Sequence, residues 1–203
     1  MNHVERFRAV MNFEKFDRLP RIEWAHWWDK TIERWKGEGL PSDLDDVFEI
    51  TKYLGLDPYK QFWISTIGPS VECPEHEELV KNFDDYNKIK PGLFPDCSET
   101  YKQMAAYKKP QENGEVVIWV TFEGFFWFPR TLFGIENHLY SFYDHGELMH
   151  QMNSDLADYQ IDLIKNMAEH CCPTFMTFAE DMSYNHGPML SEELFDEFLK
   201  PYI

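Results

Sequence analysis

The residues of this 203-residue chain that could do chemistry gather where apolar runs stop. Thr174-Phe175-Met176-Thr177-Phe178-Ala179 is β-prone and runs directly into Glu180-Asp181. Val116 to Phe122 is the clearest buried strand, and it ends at Glu123-Gly124. Arg21 to Ala25 reads as a short strand holding Glu23, and it passes straight into His26-Trp27-Trp28-Asp29. In α/β proteins, chemistry sits where strands end and loops begin. A carboxylate closing a buried strand costs stability unless it has a partner, so these acids are candidates for orienting a substrate or handling a proton. The same acids could instead cap the loop or pair with a neighbouring arginine. The Glu23–Asp29 segment reads as a pocket rim or as a core wall of tryptophans. The rim is favoured because three indoles are hard to bury together without a ligand surface. The candidate mouth is thus Glu23, His26, Trp27, Glu123, Trp127, Glu180, Asp181 and Tyr184.

Composition narrows the partners. A net charge of −17 argues against nucleic acid and anionic membranes, both of which need a basic face. An aromatic share of 17% fills a large core or lines a pocket for a flat or apolar ligand. Cys73, Cys97, Cys171 and Cys172 form no CxxC pair, and no signal peptide is evident, so reduced thiols in the cytoplasm are expected. His170-Cys171-Cys172 has the wrong spacing for zinc and reads as a helix end with buried thiols. His145 and His150, five apart, read as surface residues. No phosphate loop, Gly-rich dinucleotide fingerprint or Gly-x-Ser-x-Gly turn is present, which argues against ATP, NAD and serine-hydrolase chemistry.

These residues need elements to hold them. Asn2 to Met11 is a helix with a capping box. Helices follow to about Lys36 and from about Asp43 to Tyr53. Gln61 to Ile67 and Glu78 to Tyr86 look extended. Glu99 to Lys108 is a helix, Gln111 to Gly114 a turn, and Ile135 to Tyr143 a helix. In Glu147 to His170, Leu148, Met152, Leu156, Tyr159, Leu163 and Met167 recur every three or four residues on one face. Ser191 caps a closing helix. Strands alternating with helices predict a single α/β domain over 1–203 with a parallel sheet.

Several of these stretches together resemble the uroporphyrinogen decarboxylase superfamily: Arg6-Phe7-Arg8-Ala9-Val10-Met11 with Asp17-Arg18-Leu19-Pro20, Glu123-Gly124-Phe125-Phe126-Trp127, Leu132-Phe133-Gly134-Ile135-Glu136, and Glu180-Asp181 through Gly187-Pro188 to Lys200-Pro201-Tyr202-Ile203. The resemblance implies the N-terminal part of a TIM (β/α)8 barrel, incomplete because a whole barrel takes about 250 residues. The family's chemistries are porphyrinogen decarboxylation and corrinoid-linked methyl transfer. Ala25-His26-Trp27-Trp28-Asp29 stands where decarboxylases carry arginines for the tetrapyrrole carboxylates, so the resemblance implies a methyltransferase-like enzyme acting on a small methylated substrate. Porphyrinogen carboxy-lyase activity and a non-catalytic small-molecule binding protein are the alternatives, and a glycosidase fits the composition but not the motifs. In the methyltransferase branch zinc is held by a His-x-Cys pair and a later Cys in the second half of the barrel, expected beyond Ile203, and the corrinoid rides on a partner protein. The family places its polar functional residue at the position of Asp181, which implies an inward Asp181, with Glu180 turned towards the neighbouring strand or loop as the other acid of the site. A half barrel would leave an unpaired sheet edge, so a homodimer or an aggregating product is expected of the chain alone.

Overall fold

A computed structural model describes residues 1–25, 27–72 and 78–203. His26 and Cys73 therefore lie outside the described residues. The chain is a mixed α/β structure built on a three-stranded parallel sheet. Its strands are β1 (Tyr59–Ile64), β2 (Val117–Glu123) and β3 (Phe175–Ala179), with β2 in the centre. The register pairs Gln61 with Trp119 and Trp119 with Phe175; further along, Glu123 meets Ala179. Before β1 come α1 (His3–Met11), α2 (Asp29–Glu38) and α3 (Val47–Tyr53). Between β1 and β2 lie α4 (Phe83–Ile89) and α5 (Ser98–Glu112). Between β2 and β3 lie α6 (Trp127–Phe133), α7 (Ile135–Asp144) and α8 (Gly146–His170). A two-stranded antiparallel hairpin, β4 (Ser183–Tyr184) and β5 (Gly187–Pro188), and α9 (Glu192–Phe198) close the order.

Strand alternation divides the sheet into two unlike faces. Phe62, Ile64, Ile118, Val120 and Phe122 pack against Met104 of α5 and Leu163 and Met167 of α8 in one dry core. The N-terminal half of α8 gives Leu148, Met152 and Leu156 to a second core with Phe126, Phe142 and Phe198. The single apolar stripe read from the sequence thus serves two cores in succession. The opposite sheet face carries a row of hydrogen-bonded side chains. Gln61 Nε2 donates to Thr121 Oγ1 at 2.8 Å, Thr121 and Thr177 hydroxyls share a bond at 3.2 Å, and Trp119 Nε1 donates to Thr177 Oγ1 at 2.8 Å. Phe7 of α1 stacks on Phe175, which stacks on Trp119.

Three expectations are corrected. Residues 21–25 form no strand. The Asp57 carboxylate takes the Arg21 N–H at 2.9 Å, and the neighbouring Pro58 has no N–H to offer a ladder. Glu78 to Tyr86 is not extended throughout: Asn82 caps α4 by accepting from the Asp85 N–H at 3.0 Å. The turn expected from Gln111 is instead the end of α5, which carries Pro110 within it. Gln111 Nε2 donates to Cys172 O and to Thr174 Oγ1, both at 2.9 Å, so contacts with the start of β3 hold that last turn. Ser191 caps α9 and Asn2 caps α1 as read, the latter with its capping box complete.

Asp57 organises the N-terminal segment. Buried to 2% exposure, it accepts from Arg18 Nη2 at 2.6 Å, from Arg18 Nη1 at 2.8 Å and from Arg6 Nη1 at 3.4 Å. His3 Nδ1 lies 2.7 Å from it. Burial pushes the Asp57 carboxyl up, but the Arg18, Arg21 and His3 hydrogen bonds outweigh burial and hold it well below the usual range.

Candidate functional site

Glu123 and Glu180 end adjacent strands, each with its own partners. Glu123 closes β2 on the polar face. Its carboxylate accepts from the Thr66 hydroxyl, and its backbone carbonyl accepts from Gln160 Nε2 of α8 at 2.7 Å. Burial raises the Glu123 pKa, and the Thr66 bonds oppose that rise without cancelling it. A half-buried carboxyl with an elevated pKa, at the end of the central parallel strand, is suited to take or return a proton.

Glu180 follows β3 and turns back to the loop after β2. It accepts from the N–H of Phe126, the residue that caps α6, at 3.2 Å and from the Trp127 N–H, the first of α6, at 2.9 Å. Gly124 makes room for this reach: a Cβ there would sit 2.0 Å from the Glu180 carboxyl carbon. Burial raises the Glu180 pKa, and the backbone donors partly offset it. This geometry ties the two strand-end loops together.

Asp181, expected to point inward, is instead exposed and accepts from Arg130 Nη1 of α6 at 2.7 Å, the arginine pairing that the sequence left as the alternative. The Arg130 guanidinium in turn lies 5.2 Å from the Trp127 ring centre. Trp127, Arg130 and Asp181 thus form a stacked ion pair at the rim of the β2 and β3 ends. Tyr184 lies on the exposed β4–β5 hairpin, its ring edge-on to His186 at 5.7 Å.

Glu23 and Trp27 lie elsewhere. They line a cleft of about 480 Å³ along the outer edge of β1, with Asp45, Asp46, Phe48, Tyr59, Gln61 and Tyr107. Tyr59 to Gln61 stand four to six residues back from the level of Glu123 in the register, roughly 13–20 Å along the strand. The expected single mouth is therefore two separate groups, because residues 21–25 run past the start of β1 instead of beside its end. The pair Cys171-Cys172 also divides: Cys171 is buried, with Sγ 3.2 Å from Gln111 Oε1, and Cys172 is exposed. Thr66, Arg130 and Gln160 were missed in the sequence, since isolated polar residues carry no periodic signal.

Among the described residues, no group of three or more His, Cys, Asp or Glu side chains is placed to hold a metal ion. Among them too, no helix is long and apolar enough to cross a membrane. Neither family models, nor curated proteins, nor solved structures give a match to this chain.

Proposed function

We propose that the three parallel strands are part of a β/α barrel of the uroporphyrinogen decarboxylase type, and that the chain serves corrinoid-linked methyl transfer on a small methylated substrate. The observation that carries this reading is the pair of half-buried carboxylates, Glu123 and Glu180, ending adjacent parallel strands of a sheet with helices on its other face. In this reading Glu123, steadied by Thr66, moves the proton at the substrate heteroatom that loses or gains the methyl group. Glu180 positions the loop that carries Trp127, and Asp181 with Arg130 orients substrate at the rim. The described residues do not fit a zinc site, so no step is assigned to zinc. A corrinoid on a partner protein would supply the methyl-carrying centre, and no step is derived through it.

Porphyrinogen decarboxylation is the weaker reading. Residues 25–29 bring no arginine, and Arg6, Arg18 and Arg130 are engaged by Asp17, Asp57 and Asp181. The test is to express the complete reading frame around this chain and follow the absorbance of methylcob(III)alamin with a thiol acceptor. Demethylation is expected, with Glu123→Gln slowing it on the order of 100-fold. Loss of porphyrinogen carboxylates without methyl transfer would replace this reading with the carboxy-lyase. Binding without turnover of either compound would replace it with the binding protein.

A further inference from the structure

We propose that the cleft along the outer edge of β1 binds a small organic cation, with Trp27, Phe48 and Tyr59 giving ring faces and Glu23 and Asp46 the counter-charge. This site is independent of the strand-end acids and does not rest on the reading above. At about 480 Å³ the cleft is within the usual range for small-molecule sites. Its rings come from three different segments and are held in place. Trp27 packs edge-on to Trp35 at 5.1 Å, and the Tyr59 hydroxyl donates to Trp24 O at 3.1 Å.

Aromatic faces attract cations, and nearby carboxylates add to that attraction. Two of the rings that line the cleft already meet cations of the protein: Lys52 Nζ lies 4.5 Å from the Phe48 ring centre, and Lys60 Nζ lies 5.9 Å from that of Tyr107. The acids keep acceptor capacity. Asp46 spends one oxygen on the Glu49 N–H and Glu23 one on the Ala25 N–H, leaving the second oxygen of each. Lys60 is the single cation among the cleft's described lining, and the chain's charge of −17 disfavours an anionic ligand.

The test is calorimetric titration at low ionic strength with choline, its neutral isostere 3,3-dimethyl-1-butanol, and glucose. Choline should bind saturably at one site, at least tenfold tighter than either neutral compound, a gap expected for a desolvated cation–ring site. Glu23→Gln, in exposed coil, and Trp27→Leu should each weaken choline by about fivefold. Lys60→Gln, which removes a like charge, should tighten it about twofold. Any of four results would overturn the proposal: no saturation by roughly 50 mM choline, equal or tighter binding of a neutral probe, an unchanged Glu23→Gln affinity, or weaker binding in Lys60→Gln. Circular dichroism of each variant verifies that the fold is intact, and Glu23→Gln alone decides the matter if Trp27→Leu does not fold.

Discussion

Replacing Glu180 by alanine should destabilise the protein by about 2–3 kcal/mol, because it strands two backbone donors at the start of α6. The Phe126 and Trp127 N–H groups have the Glu180 carboxylate as their acceptor, at 3.2 and 2.9 Å. An unmet buried donor costs about 1–3 kcal/mol, and the half-buried position puts each near the lower end. For a chain of this size that corresponds to a melting temperature lower by roughly 4–12 °C. Glutamine keeps one acceptor oxygen and sheds the cost of burying a charge, so Glu180→Gln should lose no more than about 1 kcal/mol. The two variants also differ with pH. Burial raises the folded-state pKa of Glu180, so the protonated form is favoured by folding. Wild type should therefore gain stability relative to Glu180→Gln as pH falls from 7 through that raised value, and lose the gain as pH rises again. Thermal melts and urea midpoints at pH 7 and pH 5 measure both effects. The reasoning is refuted if Glu180→Ala melts within about 1 °C of wild type, or if glutamine is as damaging as alanine.

Three further outcomes follow from neighbouring geometry. Gly124→Ala should displace the Glu180 carboxylate and cost about as much as Glu180→Ala, and the double variant should cost little more than either; full additivity in melting temperature would separate the two residues. Asp57→Ala should cost about 3 kcal/mol by removing the shared acceptor of Arg18, the Arg21 N–H and His3, while Arg6 keeps Asp17. Because the Asp57 carboxyl is held low, its contribution is complete above about pH 4 and fades as pH drops below that, so urea midpoints of wild type and variant should converge towards pH 2. His138 is fully buried between Phe126 and Phe142, and burial with the nearby Arg130 charge pushes its pKa down to about 3. Wild-type stability should therefore fall between about pH 6.5 and 3 relative to His138→Leu, and a parallel pH profile in chemical denaturation would contradict this burial.

The central strand was legible because Val117 to Phe122 is buried on both sides, and an unbroken run of β-branched and aromatic residues has few other uses. α8 was legible from its stripe, and α9 from Ser191. α4 carried a readable signal that the extended reading passed over: Asn82 followed by Asp84 and Asp85 is a capped, acidic first turn. Residues 21–25 have strand composition, but the Arg21 N–H goes to the carboxylate of Asp57, distant in sequence, and not to a ladder. The placement of acids at strand ends was legible for Glu123 and Glu180, but not which way each acid turns: Glu180 reaches the loop, one of two directions left open, and Asp181 faces Arg130 at the surface, not inward. The separation of Glu23 and Trp27 from them was not, because it depends on where a coil crosses β1. Asp57 gave no local sign of its role, since its partners are Arg18, Arg6 and His3, far away in sequence.

The row of hydroxyl, amide and indole groups across the sheet has a consequence for how the strands find one another. A slip of two residues would leave Val, Ile and Phe still facing the helices, so the dry core tolerates that error well. The same slip would take Thr121 away from both Gln61 and Thr177, and Trp119 away from the hydroxyl its indole N–H uses. Each lost bond would leave a half-buried polar group unpaired. The polar face therefore acts as the proofreading surface of the sheet: burial of the apolar face drives pairing, and the hydroxyl row rejects near-miss alignments that burial alone would accept.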